Sequence, residues 1–506
     1  MQGKAYDVAI IGGGLVGTAV ARDAAGRGLS TYLCEAGDLG SGASSATGKL
    51  VHGALEAMEG FRIGTMREAV QEREILMRAA PHLVRPITFH IPHHERQWSR
   101  AAFRMGLFLF DHAARHSLPR AERIDLETTG AYGALQPHFT TVFAYADCIA
   151  DDSRLAVLHA VDARARGATI ETRQRCTVAE RDGGRWQLSL ESTLTGERSV
   201  VLARILVNAT GPAAASVLDH VVHVRQQVNV RMTKSAYIVV RRPMSDIAYA
   251  LPNADGRIVY AVPYEAGTML LGPAVTPFAA DPATAAVDRE DAAYLLDVAN
   301  QYFHAPVHSA DVVWGFASVA ALPAEAARGR AAVIDAPPNV APLISAFGGS
   351  LTTHRRLAEQ VVDRMGRFRK IAPAWTGNAD AVLPGGGFPR GGESDIVRAL
   401  RAGYPFLPLA LAERLVSAYG TRASAVLTGA RNAADLGVGF GADLTPAEVD
   451  YLRHEEWAVS AEDVLWRRSK LGLVFDETEA AGLEASMAVR SVPRTVVEAS
   501  PVVVPA

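Results

Sequence analysis

The stretch that decides the fold is YDVAIIGGGLVG, which runs from Tyr6 to Gly17. Its first half, Tyr6–Ile11, is an apolar run rich in valine and isoleucine, which is typical of a buried parallel strand. Its second half reads G-x-G-x-x-G, and from Leu15 to Gly28 apolar residues recur at helical spacing. A second apolar run, Leu29 to Glu35, ends in an acidic residue. We therefore predict a βαβ unit of the dinucleotide-binding type.

Each glycine of this motif has a separate physical role. Gly12 permits the tight turn after the strand, Gly14 lets the backbone approach a pyrophosphate, and Gly17 allows the helix to pack closely on the strand. The helix opens at Leu15, and its free N–H groups and positive dipole end favour phosphate. Glu35, eighteen residues after Gly17, is predicted to accept hydrogen bonds from a ribose. The motif alone does not distinguish FAD from NAD.

Three further segments favour the longer cofactor, FAD. Asp38 to Gly48 is a loop of small residues with Ser44 and Ser45, and it leads into Lys49. A turn with Gly211 follows a strand predicted from Val200 to Asn208. A third glycine turn precedes another predicted helix, and its candidate cofactor contacts are Gly348, Gly349, Ser350, Leu351 and Thr352. A flavin dinucleotide needs contacts along its whole length, and three such turns could supply them.

The composition restricts the class of protein. The chain has 506 residues, a formal charge of −3, 49% hydrophobic and 21% charged residues. It is too apolar for a disordered protein and too weakly charged to bind nucleic acid through bulk electrostatics. Its three cysteines form no CxxC pair, so a reducing, cytoplasmic location is expected. The N-terminus has no signal-peptide pattern, and no apolar run is long enough to span a membrane.

The fold class that we predict is α/β, in three parts. A Rossmann-like FAD-binding domain comprises about 1–80, 140–215 and 330–376. An inserted antiparallel sheet domain, about 81–139 and 216–329, is expected to bind substrate. A glycine-rich linker at 377–393 leads to a helical C-terminal domain at 394–490, and 491–506 is a tail.

The order of the segments resembles the FAD-dependent glycerol-3-phosphate dehydrogenase family. The matching stretches span nearly the whole chain: Asp7–Gly28 with Glu35, Ser44–Gly53, Arg73–Leu83, Gly106–His112, Asp147–Leu155, Asn208–Pro212, Phe347–Glu359 and Trp457–Arg468. The resemblance implies bound FAD and hydride transfer from a carbon bearing a hydroxyl to the flavin N5. It also implies that electrons pass to a quinone at the membrane surface, which would place the protein peripherally on the inner face of a membrane; O₂ is the other acceptor considered.

Several family residues that bind the phosphorylated substrate are changed in this chain. Glu56 stands where the family has an arginine, Ala320 replaces a second arginine, and Ser350 replaces a lysine. Tyr237 occupies the position of a histidine. Since a phosphate dianion needs cations or several N–H donors in a protected site, we expect a different substrate. A cationic amine, which Glu56 could pair with, is one candidate, besides an alcohol.

The catalytic candidates are His52 for proton abstraction, Lys49 for stabilising reduced flavin, and Tyr237 for substrate hydrogen bonding. Two alternatives remain at this point. The chain could be a genuine glycerol-3-phosphate:quinone dehydrogenase that uses Lys49, Arg231 and Lys234 as replacement cations, or a flavin-binding protein without turnover. His90, His93 and His94 lack a carboxylate or cysteine partner at ligand spacing, so no metal site is predicted.

Overall fold

The computed structural model describes residues 5–53, 63–93, 106–108, 111–112, 114–129, 133–225, 228–324 and 330–489. Within these ranges seventeen strands, numbered along the chain, form two sheets. The first sheet contains β1 (Tyr6–Ile11), β2 (Thr31–Cys34), β7 (Thr169–Glu171), β8 (Gln174–Asp182), β9 (Arg185–Ser192), β10 (Arg198–Asn208), β16 (Arg330–Asp335) and β17 (Leu343–Gly348). The second contains β3 (Leu50–Val51), β4 (Val84–Pro92), β5 (Glu122–Asp125), β6 (Thr141–Ala150), β11 (Val230–Val240), β12 (Ile247–Pro252), β13 (Ile258–Tyr264), β14 (Thr268–Pro277) and β15 (Val312–Pro323).

Nine helices of eight or more residues lie in the described ranges. They are α1 (Leu15–Gly26), α2 (Ile63–Ala79), α3 (Asp152–Ala165), α4 (Arg289–Tyr302), α5 (His354–Met365), α6 (Glu393–Gly403), α7 (Leu409–Tyr419), α8 (Pro446–Glu456) and α9 (Glu477–Val489). Shorter helical turns connect several of them.

The first sheet has the parallel core that the N-terminal motif predicts. Strands β17, β10, β1, β2 and β7 run parallel in that order. Helices α1, α3 and α5 pack on one face through a buried apolar cluster that includes Val20, Val157 and Val361. The hairpin β8–β9 covers the other face through Trp186 and Leu188. The carboxyl ends of β1, β10 and β17 therefore meet at one edge, where ligands bind in open α/β sheets.

The second sheet differs in two ways from the inserted antiparallel sheet predicted at 81–139 and 216–329. Its strand β6 was predicted to belong to the FAD-binding domain, because the boundary was placed near 140; instead β6 pairs along its length with β4. Its strands are antiparallel except for β4 and β12, which pair in parallel. This parallel pair joins the part of the sheet formed by β3 to β6 to the part formed by β11 to β15.

The helical C-terminal domain has its own apolar core. Helices α6 to α9 surround Leu400, Leu415, Val449 and Leu452, all nearly inaccessible to solvent. The predicted tail at 491–506 lies outside the described residues.

We expect the buried pair Arg154–Glu456 to be a major link between the FAD-binding and helical domains. Arg154 Nη2 donates to Glu456 Oε1 at 2.9 Å, and both side chains are almost fully buried. The substitution Arg154→Met should lower the free energy of unfolding by about 3 kcal/mol, because it leaves the buried Glu456 carboxylate with only the longer ion pair to Arg468, at 3.6 Å. Urea denaturation measures this loss.

The matched control is Arg198→Met, whose partner is Glu191. The side chains of this pair are 83% and 39% exposed, so the substitution should cost less than about 1 kcal/mol. Equal losses for the two variants would contradict the prediction.

Candidate active site

A cavity of about 950 Å³ lies where the two sheets meet, at the carboxyl ends of β1, β10 and β17. Ten of the residues predicted to contact the cofactor line it: Gly12, Gly14, Leu15, Glu35, Ser44, Gly211, Gly348, Gly349, Ser350 and Leu351. Three glycine turns that are far apart in the sequence thus border one space. Its volume is at the upper end for small-molecule and cofactor sites.

The first glycine turn leaves no room for side chains. A Cβ atom on Gly17 would lie 1.9 Å from the Gly12 carbonyl oxygen, and one on Gly12 would lie 2.7 Å from the Ala209 oxygen. Gly12 also has a φ of +110°, which disfavours other residues. Gly17 itself does not line the cavity, because its role is to bring α1 against β1.

Ser44 contacts the backbone of this turn at Gly14 and Leu15. Its Oγ accepts a hydrogen bond from the Leu15 N–H at 2.9 Å, and a Cβ atom on Gly14 would lie 2.9 Å from the same oxygen. The backbone at the start of α1 thus faces the cavity, where helix N–H groups stabilise anions.

Glu35 lies at the end of β2 and lines the cavity. Its carboxylate accepts the N–H of Gly13 at 2.6 Å and the N–H of Gly37 at 2.7 Å. Burial raises the pKa of Glu35, although these two N–H groups oppose the shift. Each carboxylate oxygen retains lone-pair capacity for a hydroxyl donor.

The third glycine turn connects β17 to α5 and is joined to the segment with His52. Gly348 and Gly349 have φ values of +70° and +90°. The backbone N–H of His52 donates to Thr352 Oγ1 at 3.1 Å. Thr352 therefore holds two cavity-lining segments together and does not itself line the cavity.

Lys49 is not where its predicted roles require it. Its Nζ donates to both oxygens of Asp152, at 2.8 and 2.9 Å, and to the backbone oxygen of Ser45. Neither Lys49 nor Ser45 is among the cavity-lining residues. Burial lowers the pKa of Lys49, and the charge of Asp152 opposes that shift. The lysine anchors the 45–49 segment to α3, so its charge is already neutralised.

The other two proposed replacement cations are also elsewhere. Arg231 is exposed on β11 and does not line the cavity. Lys234 Nζ lies 2.6 Å from both Asp288 and Asp291. None of Lys49, Arg231 and Lys234 therefore lines the cavity, where a replacement cation would have to meet a substrate phosphate.

His52 and Tyr237 both line the cavity, as does Ala320. The Tyr237 ring lies between Gly48 and Gly272 and stacks on Phe316, with ring centroids 5.2 Å apart. Burial raises the pKa of Tyr237, so its phenol stays neutral and can only hydrogen-bond. Glu56, the predicted partner of a cationic substrate, lies outside the described residues.

Sequence reasoning missed two cavity-lining residues, Arg257, which directly precedes β13, and Tyr260 on β13. Arg257 Nε donates to Asp255 Oδ2 at 2.7 Å, and its Nη1 donates to the Val275 oxygen. Both residues fall in the antiparallel sheet domain predicted at 216–329, but strand alternation alone cannot show which edge of a sheet faces a cavity.

The histidines near Pro92 pack against aromatic rings. His90 lies edge-on to Tyr249, and His93 lies edge-on to Phe143; His94 is outside the described residues. No three histidine, cysteine or acidic side chains in the described ranges are grouped so as to hold a metal ion. Nor does any helix in those ranges have the length and hydrophobicity to cross a bilayer.

Two family models match this chain, one over the FAD-binding and sheet domains and one over the helical C-terminal domain. The model of the FAD-dependent oxidoreductase family matches residues 7–364. The model of the C-terminal domain of alpha-glycerophosphate oxidase matches residues 378–491.

Individual relatives match over nearly the full length. Glycerol-3-phosphate dehydrogenase of Pseudomonas aeruginosa is 40% identical, with 94% of each chain covered. D-erythritol 1-phosphate dehydrogenase of Brucella abortus is 38% identical, with 94% of this chain and 96% of the relative covered. The structure of glycerol-3-phosphate dehydrogenase from Bacillus halodurans complexed with FAD has the same fold, with a TM-score of 0.75, 24% identity, and 97% and 92% of the two chains covered.

The family match confirms FAD as the cofactor, and the cavity fits it, because three glycine turns and a helix N-terminus border a single space of sufficient volume. The chain belongs to the FAD-dependent oxidoreductase family and is an enzyme of the glycerol-3-phosphate dehydrogenase type.

Proposed function

We propose that this enzyme oxidises a carbon bearing a hydroxyl group in a small polyol-like substrate other than glycerol 3-phosphate. The observation that carries the proposal is the chemistry of the cavity wall that β11, β14, β15 and the third glycine turn provide. This wall consists of apolar, small and uncharged residues, namely Tyr237, Gly272, Pro273, Val275, Ser318, Val319, Ala320, Ala321 and Ser350.

Two arginines line the cavity in the described ranges, Arg175 and Arg257, and Arg257 lies beside this wall, since its Nη1 donates to the Val275 oxygen. Neither offers an unpaired charge close to Ser318–Ala321. Arg257 already binds Asp255. Arg175 follows Gln174, whose backbone N–H binds the Glu35 oxygen, so Arg175 lies at the end of the cavity near Glu35. No lysine of the described chain lines the cavity. A phosphate dianion on this wall would lose its hydration without compensation.

A second candidate is a phosphorylated polyol longer than glycerol 3-phosphate. The relative that is named D-erythritol 1-phosphate dehydrogenase supports it, since that protein is 38% identical to this chain. In this case the phosphate would extend towards Arg257.

The residues proposed to hold FAD follow from the geometry of the cavity. The N-terminus of α1, with Gly12, Gly14 and Leu15, would take the pyrophosphate, and Glu35 would accept the ribose hydroxyls. Ser350 and Leu351, before α5, would hold the end of the flavin. FAD of this family, when bound, accepts a hydride from the substrate carbon.

We assign His52 the removal of the hydroxyl proton. It lines the cavity, and its backbone is held by Thr352. The neighbouring Gly53 N–H donates to both oxygens of the buried Asp147 at 3.1 Å, which also fixes this segment. Positioned general bases contribute about 10²–10⁴-fold to rate.

The electron acceptor is proposed to be a quinone, reached by peripheral contact with the inner face of a membrane, with O₂ as the alternative. Reduced enzyme mixed with a soluble quinone analogue should reoxidise faster than with air-saturated buffer. The reverse order would assign the enzyme as an oxidase.

We predict that Gly14→Ala abolishes stable FAD binding. Its Cβ atom would lie 2.9 Å from Ser44 Oγ and would stand where the backbone must approach the pyrophosphate. The flavin absorbance per mole of purified protein measures the loss. Gly403→Ala is the control, because a Cβ atom there meets nothing within 4 Å; equal flavin content in both variants would refute the assignment.

We predict that His52→Asn slows anaerobic flavin reduction by about 10²-fold or more, with FAD content unchanged. The asparagine retains size and hydrogen bonding but cannot accept the proton. His138→Asn, at an exposed position, should reduce at the rate of the unaltered enzyme. A His52 variant of normal rate would remove His52 from the mechanism.

The substrate proposal predicts the outcome of an anaerobic reduction screen. Glycerol 3-phosphate should leave the flavin oxidised, whereas a member of a panel of polyols, phosphorylated polyols, hydroxy acids and amines should bleach it. Rapid bleaching by glycerol 3-phosphate would contradict the proposal, and bleaching by no compound would favour a flavin-binding protein without turnover.

The double variant Ser350→Lys with Ala320→Arg tests whether the lack of cations on the wall is what excludes glycerol 3-phosphate. It adds two cations to the neutral wall, so reduction by glycerol 3-phosphate should become measurable. Ser199→Lys, which adds a charge at an exposed position of β10, should not produce this gain.

A further inference from the structure

The segment Trp457–Arg468, WAVSAEDVLWRR, belongs to the helical domain, and the proposed reaction does not use it. Three of its charged residues nevertheless form ion pairs with the FAD-binding domain, namely Asp463, Arg467 and Arg468. Their contacts converge on the loop from Glu35 to Ser41. Glu35 and Ser41 both line the FAD cavity.

The first contact is made by Asp38, at the centre of this loop. Its Oδ2 accepts hydrogen bonds from Arg467 Nε at 2.7 Å and Arg468 Nη1 at 2.8 Å, and its Oδ1 accepts one from Arg468 Nη2 at 2.8 Å. The side chains of Asp38 and Arg468 have no solvent exposure. A carboxylate so buried is stable only with such partners, and both come from the helical domain.

The second contact reaches the same loop through Arg173. The Arg173 N–H donates to the Gly37 oxygen at 3.0 Å, and its guanidinium donates to both oxygens of Asp463, at 2.7 and 2.8 Å. Burial alone would raise the pKa of Asp463, but the Val459 N–H, Arg467 and Arg173 lower it below its ordinary value. Asp463 is therefore a charged anchor on the helical side.

The loop in turn sets the position of the Glu35 carboxylate. The Gly37 N–H holds Glu35 Oε1, the Ser41 N–H binds the Asp38 oxygen, and the Gly40 N–H binds the Gly13 oxygen. A shift of Asp38 would thus move both Glu35 and the first glycine turn.

We propose that Asp38 is a positioning residue through which the helical C-terminal domain controls the retention of FAD. Arg467 and Arg468 hold Asp38, and Asp38 fixes the loop that presents Glu35 to the cofactor. The helical domain thereby completes the cofactor site without touching the cavity itself.

The rate of FAD release from the holoenzyme tests this proposal, followed by the rise in flavin fluorescence after dilution. Asp38→Asn should release FAD about tenfold faster or more, because it removes a charge-assisted contact with two guanidinium groups. Arg173→Met is the milder variant, with an expected increase of about threefold, because Asp463 keeps Arg467 and two backbone N–H donors.

The matched control is Arg414→Met, whose partner Glu448 lies within the helical domain. The Arg414–Glu448 side chains are 22% and 1% exposed, and those of Arg173–Asp463 are 21% and 0% exposed. The two substitutions should lower the thermal midpoint to a similar degree, but only Arg173→Met should accelerate FAD release. If Asp38→Asn does not fold, the rates of FAD release from Arg173→Met and Arg414→Met test the proposal by themselves.

Equal release rates for Arg173→Met and Arg414→Met would overturn the proposal, because FAD loss would then follow general destabilisation. Release from Asp38→Asn at the rate of the unaltered enzyme would overturn it as well. The readout needs no substrate, so a failure here is separate from a failure of the proposed oxidation.

Discussion

The contact between Gly17 and the Gly12 carbonyl is the constraint on which the site depends. Because a Cβ atom at Gly17 would lie 1.9 Å from that oxygen, only glycine lets α1 begin directly behind β1. This approach places the helix N-terminus at the edge where β10 and β17 also end. The parallel arrangement then brings the later glycine turns to the same space, so one local steric condition positions a cofactor site built from distant segments.

Buried charged side chains surround the cavity, whereas the wall proposed to contact the substrate is neutral. Buried ion pairs hold the surroundings: Lys49 with Asp152, Arg468 with Asp38, and Arg154 with Glu456. The proposed substrate wall, in contrast, is uncharged along Ser318–Ala321. A buried ion pair with satisfied hydrogen bonds resists separation because either partner alone is costly to bury. These buried charges therefore maintain the structure around the cavity, and our substrate proposal rests on the neutral wall.

Local pattern predicted the elements around the first turn well. The predicted strand Tyr6–Ile11 has the observed bounds, and α1 ends at Gly26, two residues before the predicted limit. The second strand is shorter than predicted, Thr31–Cys34, and the Leu29 N–H at its predicted start still binds the Ala24 oxygen of α1. The boundary near 140 did not anticipate the pairing of β6 with β4, whose paired residues lie 50 to 66 positions earlier in the chain, because strand pairing at that distance has no local signal.

The sequence by itself determined the βαβ unit that begins the FAD-binding domain, because glycine spacing and apolar periodicity act over a few residues. Its resemblance to a known family, carried by motifs along nearly the whole chain, indicated the family and the flavin cofactor. Only the tertiary structure decided which charges remain available to a ligand. Lys49 is neutralised by Asp152, 103 residues later in the chain, and Asp38 by Arg468, 430 residues later. Coulombic and hydrogen-bond partners depend on distance in space, so the folded chain alone reveals that Lys49 is a structural anchor and that the helical domain supports the cofactor loop.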